Sequence, residues 1–218
     1  MLELYIQTLH TDEAGLETPA ATRERLKSSF PAGAARRMTQ LGMLVGTCLR
    51  PLSPETQDTI VYLSQFGESR SLEAYLDSFP CASPTLFQTS IHPGGLQQML
   101  IGRQIAIGTV FPLSGDAQLV SEGLVTAMTA ESPRVIICGG EERGTWLTEH
   151  NAAAEQSFAF ALAATQERGD TCIGTLRINE GDVNAPGLTL LDWFRLLNTR
   201  TPYLGPAGAG WNLDLEWH

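Results

Sequence analysis

Ala106-Ile107-Gly108-Thr109-Val110-Phe111-Pro112-Leu113-Ser114-Gly115-Asp116-Ala117-Gln118 decides the fold. From Ile105 to Phe111 it reads as a strand, and apolar residues then recur at helical spacing from Gln118 to Thr129. Between the two lies a tight turn with Asp116 at the point where a strand-to-helix elbow presents a nucleophile. A Cys or Ser there would argue for acyl transfer. An acid in that place leaves the architecture legible and removes the obvious chemistry.

Working outward, the elbow sits within an alternation of strands and helices. Leu2–Leu9 reads as a strand, Ala20–Ser29 as a short polar helix or loop, and Ala34–Leu49 as a helix. In that last segment Gly42 and Gly46 lie four apart and permit another backbone to approach closely. Thr59–Leu63 is a continuous apolar run of strand length, and Ser71–Phe79 a helix with Leu72, Tyr75, Leu76 and Phe79 on one stripe. Thr85–His92 is extended or partly helical, and the turn Pro93-Gly94-Gly95 opens a helical stretch to Met99. After the elbow helix, in which Gly123 permits close packing, comes the strand Arg134–Cys138. Ser157–Ala164 and Thr171–Ile178 read as a closing antiparallel pair joined by the turn Glu167-Arg168-Gly169-Asp170. The pattern predicts an α/β fold with a mixed, mostly parallel sheet flanked by helices, in a single domain spanning 1–218. A helix at Leu188–Asn198, a Gly/Pro loop at Pro206–Gly210 and a strand at Trp211–Trp217 complete the chain.

Composition narrows the function classes. Charged residues make up only 17% against 43% hydrophobic ones, which implies a face covered by a partner. A net charge of −10 argues against nonspecific attraction to nucleic acid or to an anionic membrane, and would repel an acidic carrier protein unless a partner supplied the basic patch. Cys48, Cys81, Cys138 and Cys172 share no ligand spacing with His10, His92, His150 and His218, so neither a metal nor a cofactor is expected, and the thiols read as core. The start, Met1-Leu2-Glu3-Leu4-Tyr5-Ile6, lacks a signal-peptide pattern, and no apolar run approaches spanning length; a cytoplasmic protein is the expectation.

Several segments then carry a resemblance. Ser83-Pro84-Thr85-Leu86-Phe87-Gln88-Thr89-Ser90-Ile91-His92, followed by Ser114-Gly115-Asp116-Ala117 and Ile136-Ile137-Cys138-Gly139-Gly140-Glu141, resembles the N-terminal half of β-ketoacyl synthases. It looks most like the short chain-length-factor subunits of aryl polyene pigment biosynthesis. Arg36-Arg37-Met38-Thr39-Gln40-Leu41-Gly42 is similar to the family's early basic helix, and the likeness covers Leu2 to Ile178. It implies a thiolase-like half-fold, βαβαβαββ, and a dimer whose strand before the nucleophile pairs across the interface.

On that resemblance Asp116 falls where a condensing enzyme carries its cysteine. A carboxylate cannot replace a thiolate there. The family's two catalytic histidines belong to a second half that this chain is too short to contain. The resemblance therefore implies a pseudoenzyme that pairs with a full β-ketoacyl synthase and meets acyl carrier protein mainly through that partner. Leu86, Phe87, Gln97, Gln98 and Met99 are the expected functional surface and acyl-tunnel wall, and Ile107, Thr109 and Phe111 the expected interface strand. Plain readings stand beside these: Asp116 as a helix cap, His92 as a hydrogen-bonded interior or loop residue, Leu86 and Phe87 as core. Two rivals remain: an acyltransferase or hydrolase using Asp116 or Cys138, and a homodimeric module that binds an acyl chain or carrier protein.

Overall fold

Thr59–Leu63 forms the strand β2 at the residues its apolar run marks, and all five side chains are buried. The reason is visible in the alternation: Val61 and Leu63 point into one core, Ile60 and Tyr62 into another, so the sheet is covered on both faces. The computed structural model describes residues 2–218. Its strands are β1 (Leu2–Gly15), β2, β3 (Thr109–Leu113), β4 (Val135–Glu141), β5 (Ser157–Thr165), β6 (Gly174–Glu180), β7 (Tyr203–Gly208) and β8 (Trp211–Trp217). They form one sheet in the order β3-β2-β4-β5-β1-β6-β8-β7. The α-helices are α1 (Pro19–Leu26), α2 (Ala32–Ala35), α3 (Gln40–Leu49), α4 (Ser69–Asp77), α5 (Pro84–Thr89), α6 (Gly94–Gly102), α7 (Leu119–Met128) and α8 (Leu190–Thr199).

The two faces are packed differently, and β5 shows how. Phe158, Phe160 and Leu162 project into the core shared with α7 and α8, where Trp193 and Phe194 are also buried. Ala159, Ala161 and Ala163 face the other way, against Met43 and Leu44 of α3. Small side chains on that face let α3 lie directly on the sheet, while the aromatic face fills the wider space under α8. Each large side chain so buried contributes roughly 1.5–3 kcal/mol. The expected close approach at Gly42 and Gly46 is made by α6: a Cβ on Gly42 would lie 3.2 Å from the Gly95 carbonyl, and one on Gly46 2.9 Å from Met99 Cγ. Gly123 of α7 is likewise pressed onto Leu63.

The α/β class and the mixed sheet stand as expected, but the parallel part is smaller. Only β3–β2 and β2–β4 pair in parallel, through crossovers containing α4 to α6 and α7; the remaining neighbours are antiparallel. The strands β5 and β6 do not pair with one another. The long β1 lies between them, its start on β6 and its remainder on β5, so the 166–173 connection crosses over an intervening strand. A turn signal marks a reversal of direction without naming the neighbour.

Four further expectations are corrected. The Ala34–Leu49 helix is broken, because Thr39 adopts an extended conformation and its hydroxyl accepts from Gly42 N, starting α3 afresh. The strand expected at Ile105–Phe111 begins later, at Thr109. The apolar stripe read at Ser71–Phe79 is turned outward in the fold: Leu72 and Leu76 of α4 and Phe79 just after it are exposed. Cys48 and Cys138 are buried as expected, whereas Cys81 is exposed and Cys172 half-buried. The Gly/Pro segment before Trp211 contains a strand, β7, which completes a hairpin with β8.

Gly139 is the tightest point between β2 and β4, since a Cβ there would lie 1.9 Å from the Leu63 carbonyl oxygen. Backbone cannot yield as a side chain does. Gly139→Ala is expected to cost more than about 3 kcal/mol in urea denaturation or to prevent folding, whereas Gly46→Ala, opposed only by Met99 and Phe30 side chains, is expected to stay within about 1.5 kcal/mol of the parent. Equal effects would contradict this account of the packing.

Candidate functional site

The elbow forms as the sequence predicts, at the end of β3, and it is braced from the loop after β2. The Ser114 hydroxyl donates to the Gln65 carbonyl at 3.2 Å, and Gln65 Nε2 donates to Asp116 Oδ1 at 3.1 Å. Asp116 is exposed. Its side chain does not cap α7, contrary to the plain reading. Residues 116–118 form an extra turn in which the Asp116 carbonyl accepts from Leu119 N at 3.0 Å, and Gln118 occupies the cap position without a side-chain bond.

Beside the elbow opens a cavity of about 590 Å3. Gln65, Asp116 and Glu141 line one wall, and Leu190, Leu191 and Arg195 of α8 line another. The segment after Ile178 thus closes over the elbow: positions 187 and 208 both abut the Ala117 carbonyl. The lining contains no cysteine and no histidine. Cys138 lies inside the core, where burial pushes its thiol well above the ordinary value, the opposite of what a nucleophile requires.

Four buried carboxyl groups shape the ground under this site. Glu141, at the end of β4, accepts from Ser64 Oγ at 3.2 Å, Gln65 N at 2.5 Å and Phe66 N at 3.3 Å. Glu142 accepts from Leu41 N at 3.2 Å and Arg70 N at 3.1 Å, joining the first turns of α3 and α4. Glu73 receives Thr145 N, Thr145 Oγ1 and Leu147 N at 2.6, 2.8 and 2.9 Å. Glu68 receives Gly95 N at 2.7 Å at the start of α6. Burial pushes Glu141 up to about 8 and Glu142 to about 7, against the opposing pull of these donors. Sequence reading had singled out none of Glu68, Glu73 and Glu142. The one signal was acids placed directly after the apolar run of β4.

The expected surface residues divide into two groups. In the first, Phe87 is 49% exposed, Leu86 is half-buried and Gln97 is exposed. Gln98 turns inward, its Oε1 accepting from Thr39 N at 2.9 Å. Met99 is 1% exposed and belongs to the core against α3, so it is not a surface residue. In the second group Thr109 and Phe111 are exposed on β3, an edge strand with one side unpaired, and Ile107 packs partly against the α3 core. Sequence reasoning missed the extension of the first group onto α4. Tyr75 contacts Phe79 and Phe87, with ring centroids 5.4 Å apart in each pair, and Leu72, Leu76 and Ile91 enlarge the exposed apolar surface.

No protein-family model matches this chain, and no curated protein matches its sequence. Its shape does match solved structures. A chain of the ketosynthase (ApeO) in complex with its chain length factor (ApeC) from Xenorhabdus doucetiae aligns with a TM-score of 0.68 at 19% identity, over 99% of this chain and 100% of that one. The ishigamide ketosynthase/chain length factor aligns with a TM-score of 0.58 at 9% identity, covering 83% of this chain and 68% of that one. A β-ketoacyl synthase from Burkholderia phymatum aligns at 0.58 and 11% identity, covering 92% and 70%. The chain has the thiolase-like α/β fold of ketosynthases and chain length factors.

The raised acids give this ground a pH signature. From the ordinary carboxylate value of 4.5 up to about 7 and 8, the folded chain keeps protons that the unfolded chain has released. Their stabilising contribution is therefore complete below that range and falls as pH rises through it. Denaturation measured at about pH 5.5 and about pH 8.5 is expected to show a loss with rising pH that is smaller in Glu142→Gln, by on the order of 1–2 kcal/mol. An identical pH dependence in the variant would refute the assignment.

Proposed function

We propose that this chain is a chain-length-factor-like, non-catalytic subunit that pairs with a full β-ketoacyl synthase and forms part of the wall of its acyl tunnel, in aryl polyene or related polyketide chain elongation. The observation that carries the reading is the elbow: it has the strand-turn-helix form of a nucleophile site, yet holds Asp116 bonded to Gln65. Alignment to a chain of equal extent from a ketosynthase/chain-length-factor complex supports it. So do the exposed edge of β3 and the apolar surface formed by Phe79, Phe87 and Ile91. Surfaces of that kind mark interaction sites in soluble proteins.

In this reading the partner supplies the nucleophilic cysteine and both histidines, and most of the docking surface for acyl carrier protein. The partner's thiolate holds the growing acyl chain as a thioester. A malonyl unit on the carrier protein loses carbon dioxide, and the resulting carbanion attacks that thioester, extending the chain by two carbons. This chain contributes shape. A bulky side chain at its boundary with the partner's tunnel ends the space for further carbons at van der Waals contact. Leu86 and Phe87 are the residues assigned to that boundary, and Thr109 and Phe111 to the pairing edge. The burial of Cys138 speaks against the acyltransferase alternative.

Co-expression with a full β-ketoacyl synthase from the same source tests the proposal. The expected result is a co-purified heterodimer whose long-chain product disappears without this chain and is unchanged by Asp116→Cys. Thioester turnover by this chain alone would overturn it. Within the complex, Phe111→Asp is expected to weaken capture of the ketosynthase at least tenfold, while Phe87→Ala shifts product length with capture retained; a desolvated aromatic anchor is worth about 2 kcal/mol or more. Unaltered capture and unaltered products in both variants would remove these residues from the interface.

A further inference from the structure

Four polar atoms with no hydrogen-bond partner converge beneath the start of α6: Tyr62 Oη, Glu68 Oε2 and both ring nitrogens of His92, all buried. Tyr62 is 0% and Glu68 2% exposed. The His92 ring stacks on Tyr62, centroids 5.1 Å apart and planes 22° apart. Its Nδ1 lies 3.4 Å from Glu68 Oε2. The other oxygen of Glu68 accepts from Gly95 N, so one carboxyl group holds the segment from 84 to 102 at two points, through His92 before α6 and through the first turn of α6.

The surroundings give the ring's proton a particular weight. Glu68 comes from the connection before α4 and Tyr62 from β2; Cys138 inside β4 adds a neutral thiol, while Glu141 at the end of β4 and Glu142 directly after it add negative charge near Tyr62 where they are ionised. Among the described residues His92 is the one basic side chain in ion-pair range of Glu68. A neutral imidazole leaves this buried carboxylate without a counter-charge, whereas an imidazolium supplies one to a group that is costly to leave uncompensated. Histidine is the side chain whose charge changes near physiological pH.

We infer that His92 is a positioning residue: in its protonated form it closes an ion pair onto Glu68 and holds the 84–102 segment, with Leu86, Phe87 and Gln97, in the arrangement presented to the partner chain. The purpose of the latch rests on the heterodimer reading, while its existence rests only on this chain. As pH rises and the ring loses its proton, the Gly95 bond remains, the ion pair is lost, and the segment loosens.

Hydrogen exchange on the isolated chain reads the latch directly. Protection of the 84–102 amides, corrected for intrinsic rates and referenced to α7, is measured at about pH 5.5 and about pH 8 in the parent, His92→Gln and Glu68→Gln. Glu68→Gln keeps an oxygen for Gly95 N while removing the charge, so it preserves the fold if His92→Gln does not. The parent is expected to lose about tenfold in relative protection at the higher pH, and the variants less than about twofold. A parent without that loss, or variants that retain it, would overturn the inference. Capture of the ketosynthase at the same two pH values forms a separate arm. Failure of capture in every protein counts against the heterodimer reading and leaves the exchange result to decide the role of His92.

Discussion

Burial of carboxyl groups against backbone N–H groups is the interaction on which the rest of this structure depends. The strand β4 runs apolar through the middle of the sheet and ends at Glu141, with Glu142 directly after it; the two are 2% and 1% exposed. Leaving such groups unpaired in a protein interior is prohibitive, so their oxygens collect the free N–H groups of whatever lies nearby. Those groups are the first turns of α3 and α4 and the loop after β2. Helix N-termini are suited to the task, since their N–H groups have no partners within the helix and their dipoles favour negative charge. One pair of acids thereby fixes where two helices begin and holds Gln65, which in turn braces the elbow.

The sheet around that point has two regimes. Its parallel part, β3-β2-β4, brings three strands to the same end and there builds the elbow and the cavity beside it. Its antiparallel part, from β5 to β7, is a brace, and α8 folds back from it to close the cavity. The cross-strand group of Arg177 with Glu3, Asp214 and Glu216 lies on the outer face of this brace, partly exposed, and contributes modestly for that reason.

Legibility from sequence followed the physics of each element. The strand β2 and the helix α7 were placed within a residue or two because a continuous apolar run and a 3.6-residue stripe have few other interpretations. The elbow was legible because strand, turn and helix signals fall in immediate succession. The insertion of β1 between β5 and β6 was not, since sheet neighbours are set by long-range pairing that no local pattern encodes. The stripe of α4 was legible as apolar, but its exposure was not: periodicity shows that a face is apolar and is silent about what covers it. Gln65 and Glu142 escaped notice because their importance comes from groups 51 and 101 positions away.

The free edge of β3 has a further property. Leu113 O accepts from Ser64 N, so Thr109, Phe111 and Leu113 direct their backbone groups toward β2, while Val110 and Pro112 direct theirs outward. Proline has no N–H to offer. The outward side therefore presents two acceptors and a single donor, an unequal valence. Two copies of this strand meeting antiparallel about Phe111 would set Val110 opposite Pro112 twice, and each pairing would complete one of its two bonds. A strand from a different chain, carrying an N–H where Pro112 has none, can complete more of them. The edge is thus biased toward a foreign strand and against its own copy, and the same proline that makes it a poor template for sheet growth makes it selective.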